Sequence, residues 1–424
     1  MRVLIGVIFL SLISFNLHSK EYFPKEIKHF RLVWHEDPAT EATLAWNTKR
    51  EIYKENYCYM SKTPKKGNLK AYELVQRAPY NRYLSTTNKA DIGLRYFYHA
   101  CVFKNLSPST KYYFVVRSGS HVSKELHFIT APKDPKRSFK LIFGGDSRDN
   151  LPNIRRPRRP GINKLLAKMV EKDPSILALV HGGDYVFFGM IFRDFRQWFR
   201  DHLLTITKDG RFLPVVPTRG NHEKNVELFN DLFIMHRKSL KNSYYITKIN
   251  NLYIFNLNTS IAMGGLQKIW LETHLRKYAK KGNWVFPNYH EPAWPAVKKP
   301  SDALKHFVPL FDKYQVDLVF ESDGHSLKKT VPIYKNKKDL KKGIIYLGEG
   351  GLGVGQRKPK NKNSWFLKKP GFAMAADHFF LASMKKDSAE IKVISPQCKY
   401  ELIKRWNCLK TKVIDQFKLK HRAR

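Results

Sequence analysis

The chain has 424 residues, with 77 Lys+Arg against 36 Asp+Glu, a net charge of +41. Its length points to two or three domains, and 42% hydrophobic residues with 13% aromatics exclude wholesale disorder. Four cysteines are too few to build a disulfide miniprotein, and the charge predicts attraction to something acidic without bearing on fold. Of the cations, 53 are Lys and 24 Arg, so a lysine-rich genome explains the excess as readily as a function does.

The chain opens with Met1-Arg2, an apolar run from Val3 to Phe15, and then Asn16 to Lys20. A basic start, a short apolar core and a small residue at the cut form a secretory signal, here residues 1–19 with cleavage after Ser19. The run is shorter than the ~20 apolar residues that span a bilayer, and no later segment qualifies as a transmembrane helix. Export, periplasmic or secreted, permits disulfides. Of the three pairings of four cysteines, Cys58–Cys101 with Cys398–Cys408 keeps both bridges local, and four buried thiols are the alternative.

Residues 20–134 read as short strands. Arg31-Leu32-Val33-Trp34 and Ala42-Thr43-Leu44-Ala45-Trp46 alternate as half-buried strands do. Leu106, a turn at Pro108, and Tyr112 at the head of the next strand carry the signature of a tyrosine corner. Together these resemble the fibronectin type III-like sandwich that precedes the catalytic domain of purple-acid-phosphatase-like proteins. A folded spacer is the plainer reading of its role. The basic, Pro-containing stretch Lys133–Arg137 marks its end.

Residues 135–395 alternate apolar strands with helical stretches, which argues α/β layering. Five strands end in polar residues: Gly144-Gly145-Asp146, Gly182-Gly183-Asp184, Arg219-Gly220-Asn221-His222-Glu223, Tyr289-His290-Glu291 and Asp323-Gly324-His325. Ligand sites of α/β folds gather at the carboxyl ends of strands, so these five are expected to converge. Each is weak alone. The ordered set resembles the calcineurin-like metallophosphoesterases, and most closely their purple-acid-phosphatase-like branch, over about 250 residues.

The resemblance implies an all-β sandwich followed by a four-layer α/β/β/α metallophosphoesterase domain, and a phosphatase holding two metal ions, Fe, Mn or other divalent ions. Carboxylates, an amide carbonyl and imidazoles suit such ions, and a pair of them lowers the pKa of bound water enough for hydroxide to attack phosphorus. It assigns Asp146 and His325 to the first metal, Asn221 and His290 to the second, and Asp184 as the bridge. It also implies that His222 contacts phosphate and protonates or stabilises the leaving oxygen. The resemblance favours monoesters over diesters. A phosphodiesterase or nuclease, and a non-catalytic anion-binding protein on a degenerate phosphatase scaffold, are the alternatives.

Three residues depart from the family pattern. Phe187 stands where purple enzymes place the iron-binding Tyr, so no ferric-tyrosinate centre is expected, and Tyr185 should point elsewhere. Arg148 stands where other members place a His, and a guanidinium cannot ligate a cation. Arg148 is read either as a substrate-phosphate binder or as a structural partner of Asp149 or Glu223. Asp323 takes the first His position of the last motif, either as a metal ligand favouring harder ions than Zn or as a solvated turn residue. His181 reads as a core histidine.

Arg155-Arg156-Pro157-Arg158-Arg159 follows the first motif and is read as bordering the cleft or as a solvated loop. From Ser326 to the end, 25 Lys+Arg against seven Asp+Glu leave +18 over 99 residues, with residues 396–424 as a basic C-terminal tail. Few aromatics interleave, so an anionic polymer or surface fits better than a base-stacking groove, and no dedicated nucleic-acid module is present.

Overall fold

Alternate residues of the strand Phe139–Gly144 serve different layers. Leu141 and Phe143 join the core between two sheets, while Ile142 faces the helix Arg159–Lys172 with Ile162 and Leu166. Side chains alternate faces along a strand, so an unbroken apolar run marks a strand covered on both sides. The structure is a computed structural model describing residues 22–49, 55–83, 96–148, 158–240, 242–401 and 405–422. The expected signal segment and Arg155-Arg156-Pro157 lie outside the described residues. Among the described residues, no helix is long and apolar enough to cross a membrane.

The α/β domain has four layers. One sheet holds Phe139–Gly144, Ile176–His181 and Val215–Pro217 in parallel. The facing sheet holds Leu252–Asn256, Trp284–Asn288, Leu318–Phe320 and Ile345–Gly348 in parallel. Phe143 and Phe320 stack between them at 3.9 Å. The helix Arg159–Lys172 covers the first sheet, and Leu266–Tyr278 with Val308–Tyr314 covers the second.

The sheet-rich N-terminal domain closes around Trp46, Met60, Phe103, Phe114 and Phe128. The Ser107 N–H donates to the Tyr112 hydroxyl at 2.8 Å, forming the expected corner. Its strand Lys28–Val33 pairs in parallel with Val215–Pro217, so one ten-stranded sheet runs through both domains. The Cys58–Cys101 and Cys398–Cys408 disulfides are both formed.

The expected tail is not an appendage. Ser388–Glu401 and Arg405–Lys420 form a hairpin at the edge of the ten-stranded sheet, so the boundary expected at residue 396 falls inside a strand. Phe417 and Leu419 pack on the core, while Lys410, Lys412, Lys418 and Lys420 are exposed. Lysines on an edge strand discourage pairing with another chain, which gives part of the positive charge a structural reason.

Candidate metal centre

Asp146 and Asp184 end strands of the first sheet, and Asn221 with His222 lies just beyond Val215–Pro217 of the same sheet. His290 and the Asp323–His325 turn end strands of the second sheet. The convergence of two sheet ends therefore creates the site. Four of these residues have left-handed backbones: Asp146 (φ 54°), Asp184 (φ 56°), Asp323 (φ 69°) and His325 (φ 57°). Such conformations are uncommon outside glycine, and strain of this kind clusters at functional sites. Glycine is needed where the turns touch: a Cβ on Gly220 would lie 2.4 Å from Asp184 Oδ1, and one on Gly350 would lie 1.8 Å from Asp146 Oδ2.

Two ligand groups result, Asp146–Asp184–His325 and Asp184–His290–Asp323, all buried and sharing Asp184. His325 Nε2 lies 3.2 Å from Asp146 Oδ1. His290 Nε2 lies 3.1 Å from Asp184 Oδ1, 3.6 Å from Asp323 Oδ1 and 3.2 Å from Asn221 Oδ1. His290 Nδ1 faces the Gly182 carbonyl at 2.8 Å, and donation there turns the Nε2 lone pair toward those three oxygens. A nitrogen lone pair facing three oxygen acceptors is the donor set a cation satisfies. Asp146 Oδ1 and Asp184 Oδ2 are buried and accept no hydrogen bond. The residues thus fit a pair of divalent ions with Asp184 between them.

A proton on His290 can stand where a cation would: burial opposes that charge, yet Asp184 and Asp323 outweigh it and hold the His290 pKa well above its usual value. Burial opposes ionisation of Asp184, yet His290 and His222 outweigh it and pull its carboxyl down to about 2. Burial likewise opposes the Asp323 charge, and His290 and Lys298 overcome it to hold that carboxyl below the usual range. The solvated-turn reading of Asp323 does not hold, because the residue is only 4% exposed.

Arg148 lies against the first ligand group. Its Nε lies 3.5 Å from Asp184 Oδ2, its other end 3.5 Å from His325 Nε2, and its guanidinium lies over the Phe187 ring. Glu223 is engaged elsewhere, and Asp149 lies outside the described residues. The Phe187 carbonyl sits 2.6 Å from His222 Nδ1, which leaves Nε2 facing Asp184 Oδ2 at 3.7 Å. Tyr185 points into the core, stacked on His181 at 3.9 Å. His181 is buried, its Nε2 2.8 Å from Ser147 Oγ, and burial holds its pKa well down.

Arg158 and Arg159 do not line the cleft. Arg158 pairs with Asp377 and stacks on Trp406, while Arg159 is buried against Asp201 and the Ser147 carbonyl. Sequence reasoning missed two contributors. Glu223 accepts from the backbone N–H groups of Asp184, Tyr185 and Gly220 at 2.9–3.0 Å, and burial with the Asp184 charge pushes its carboxyl up to about 7. Its signal lay in the Gly-Asn-His-Glu string. Lys298, 2.5 Å from Asp323 Oδ1, gave no signal among so many lysines.

Residues 27–130 match the purple acid phosphatase N-terminal domain family, and residues 136–328 match the calcineurin-like phosphoesterase family. An uncharacterised protein of Mycobacterium tuberculosis, recorded in two strains, is 22% identical over 333 residues, covering 70% of this chain and 60% of that protein. Among solved structures, a purple acid phosphatase from yellow lupin (Lupinus luteus) seeds matches with a TM-score of 0.71 at 17% identity, covering 94% of this chain and 75% of that one. PhoD matches with a TM-score of 0.66 at 10% identity, covering 94% and 91%. At such identities the structural likeness is one of fold. The two family matches and the shared-carboxylate geometry together place the chain in the calcineurin-like phosphoesterases, in the purple-acid-phosphatase-like branch that carries its own N-terminal domain.

Proposed function

We propose that the protein is an exported, metal-dependent phosphoesterase that hydrolyses phosphate esters. The observation that carries this reading is the pair of buried ligand groups sharing Asp184. Two divalent ions held by Asp146, Asp184, Asn221, His290, Asp323 and His325 would supply Lewis-acid activation of the ester and of water. Asp184 holds both ligand groups at one spacing. Arg148 presents a guanidinium at the wall of the first group, where it binds and orients a phosphate. His222, fixed through Nδ1 by the Phe187 carbonyl, offers Nε2 to the leaving oxygen as a proton donor. Two disulfides support an oxidising destination.

The test is turnover of p-nitrophenyl phosphate and its bis ester after loading with Mn, Fe or Zn. Activity abolished in Asp184→Asn and reduced at least ~100-fold in His222→Ala is expected. No turnover of either ester with any metal would sink the enzymatic reading. The Arg148 guanidinium beside Asp184 and His325 favours a second reading, anion binding without catalysis. That reading expects phosphate to bind equally well after exhaustive chelation.

A further inference from the structure

Lys298 lies in the loop between His290 and the short helix Ala303–His306, and its backbone is fixed. Asn361 Nδ2 donates to the Lys298 and Pro295 carbonyls, each at 2.9 Å, and the Asn361 N–H donates to Ala296 O at 2.9 Å. From the other side, Glu349 accepts the Ala296 N–H at 2.6 Å, and the buried Lys328 ammonium donates to Trp294 O at 2.7 Å. A loop held at Trp294, Pro295, Ala296 and Lys298 delivers the Lys298 side chain to a defined place.

That place is a ligand oxygen. Lys298 Nζ lies 2.5 Å from Asp323 Oδ1, the same oxygen that faces His290 Nε2 at 3.6 Å inside the second ligand group. The Lys298 side chain is 37% exposed, so its head can leave the carboxylate for water along a flexible four-carbon stem. Its neighbour Lys299 is exposed. At the first ligand group the nearby cation Arg148 lies farther from its carboxylate, 3.5 Å from Asp184 Oδ2.

We infer that Lys298 is a resident counter-cation of the second ligand group, competing with a metal ion for the Asp323 oxygen and setting how tightly that group holds it. An ion entering there must displace the ammonium or tolerate a like charge beside it, and both weaken binding. The two positions are therefore unequal, and the Asp146–Asp184–His325 group fills first. This inference rests on the metal-centre reading above.

Calorimetric titration of the full chain with Mn²⁺ tests it, comparing wild type with Lys298→Gln, Lys298→Arg and Lys299→Gln. Removing Lys298's charge is expected to tighten the weaker binding step about tenfold while the stronger step moves less than about twofold, the scale on which groups touching metal ligands act. Lys298→Arg and Lys299→Gln should both behave as wild type. Unchanged or weaker binding in Lys298→Gln overturns the inference while leaving the metal centre intact. Binding of no ion by any of the four proteins removes the metal-centre reading and this inference with it.

Discussion

The Asp184 backbone N–H donates to the Glu223 carboxylate at 3.0 Å while Asp184 itself sits at φ 56°. Glu223 Oε2 also takes the Gly220 N–H and Oε1 the Tyr185 N–H, so one buried side chain ties together the turns bearing Asp184 and Asn221. A Gln at this position keeps one acceptor oxygen for the Asp184 and Gly220 N–H groups but turns its NH2 donor toward the Tyr185 N–H. Glu223→Gln is therefore expected to lose roughly ten- to a hundredfold in metal affinity, as removal of groups that orient ligands does. Metal titration alongside circular dichroism checks this. A folded variant with wild-type affinity would show that Asp184 holds its conformation without the brace.

Sharing of Asp184 between two groups makes a prediction about stoichiometry. Full loading should give two ions per chain. Asp146→Ala should retain the ion of the second group, His290→Ala that of the first, and Asp184→Ala neither. Elemental analysis of protein loaded with Mn and then desalted reads the count directly. One ion remaining in Asp184→Ala would mean that the groups do not depend on a common carboxylate.

The strand-end motifs were legible because a βα turn writes its chemistry locally: apolar strand, glycines, then Asp or His. Asp146, Asp184, Asn221, His222, His290, Asp323 and His325 all lie at such ends. The partners that act across the fold were not legible. Lys298 meets Asp323 only because Asn361 and Glu349 pin its loop, and no local spacing encodes those contacts. Arg159 illustrates the converse. It read as part of an exposed basic run, yet Asp201, 42 residues away, draws it into the interior. The C-terminal hairpin carried a period-2 signal in Phe417, Lys418, Leu419 and Lys420 that its charge concealed.

His202 lies buried against Trp198, and burial lowers its pKa to about 4 despite a backbone hydrogen bond that opposes the shift. An unfolded chain titrates near pH 6.5, so above that pH the group has no effect on stability. Between 6.5 and 4 the unfolded state takes a proton that the fold refuses, and stability falls as pH falls. At pH 4.5 this amounts to roughly 2–3 kcal/mol. His202→Phe keeps a flat ring against Trp198 and removes the proton. Its urea-unfolding free energy should therefore gain about 2 kcal/mol on wild type between about pH 7.5 and 4.5. A pH-independent difference would mean that His202 takes up its proton in the fold as readily as in the unfolded chain.

The two disulfides constrain the unfolded chain to different degrees. Cys58–Cys101 joins the strands Asn56–Ser61 and Phe97–Phe103 across the sandwich core with a separation of 43 residues. Cys398–Cys408 joins facing residues of one hairpin, 10 apart. Loop-closure entropy assigns about 4 kcal/mol to the first and about 3 kcal/mol to the second. The first also fills the interior, since both its residues are fully buried, so paired Ala substitution there adds a cavity cost. The Cys58→Ala/Cys101→Ala variant should thus lose more unfolding free energy in urea than Cys398→Ala/Cys408→Ala. Cys408 packs against Gly161 at the start of the helix Arg159–Lys172, so the hairpin variant should instead be cut first by protease near residues 398–408. A larger equilibrium loss from the hairpin pair would mean that its contact with this helix, rather than closure of a ten-residue loop, carries the stabilisation.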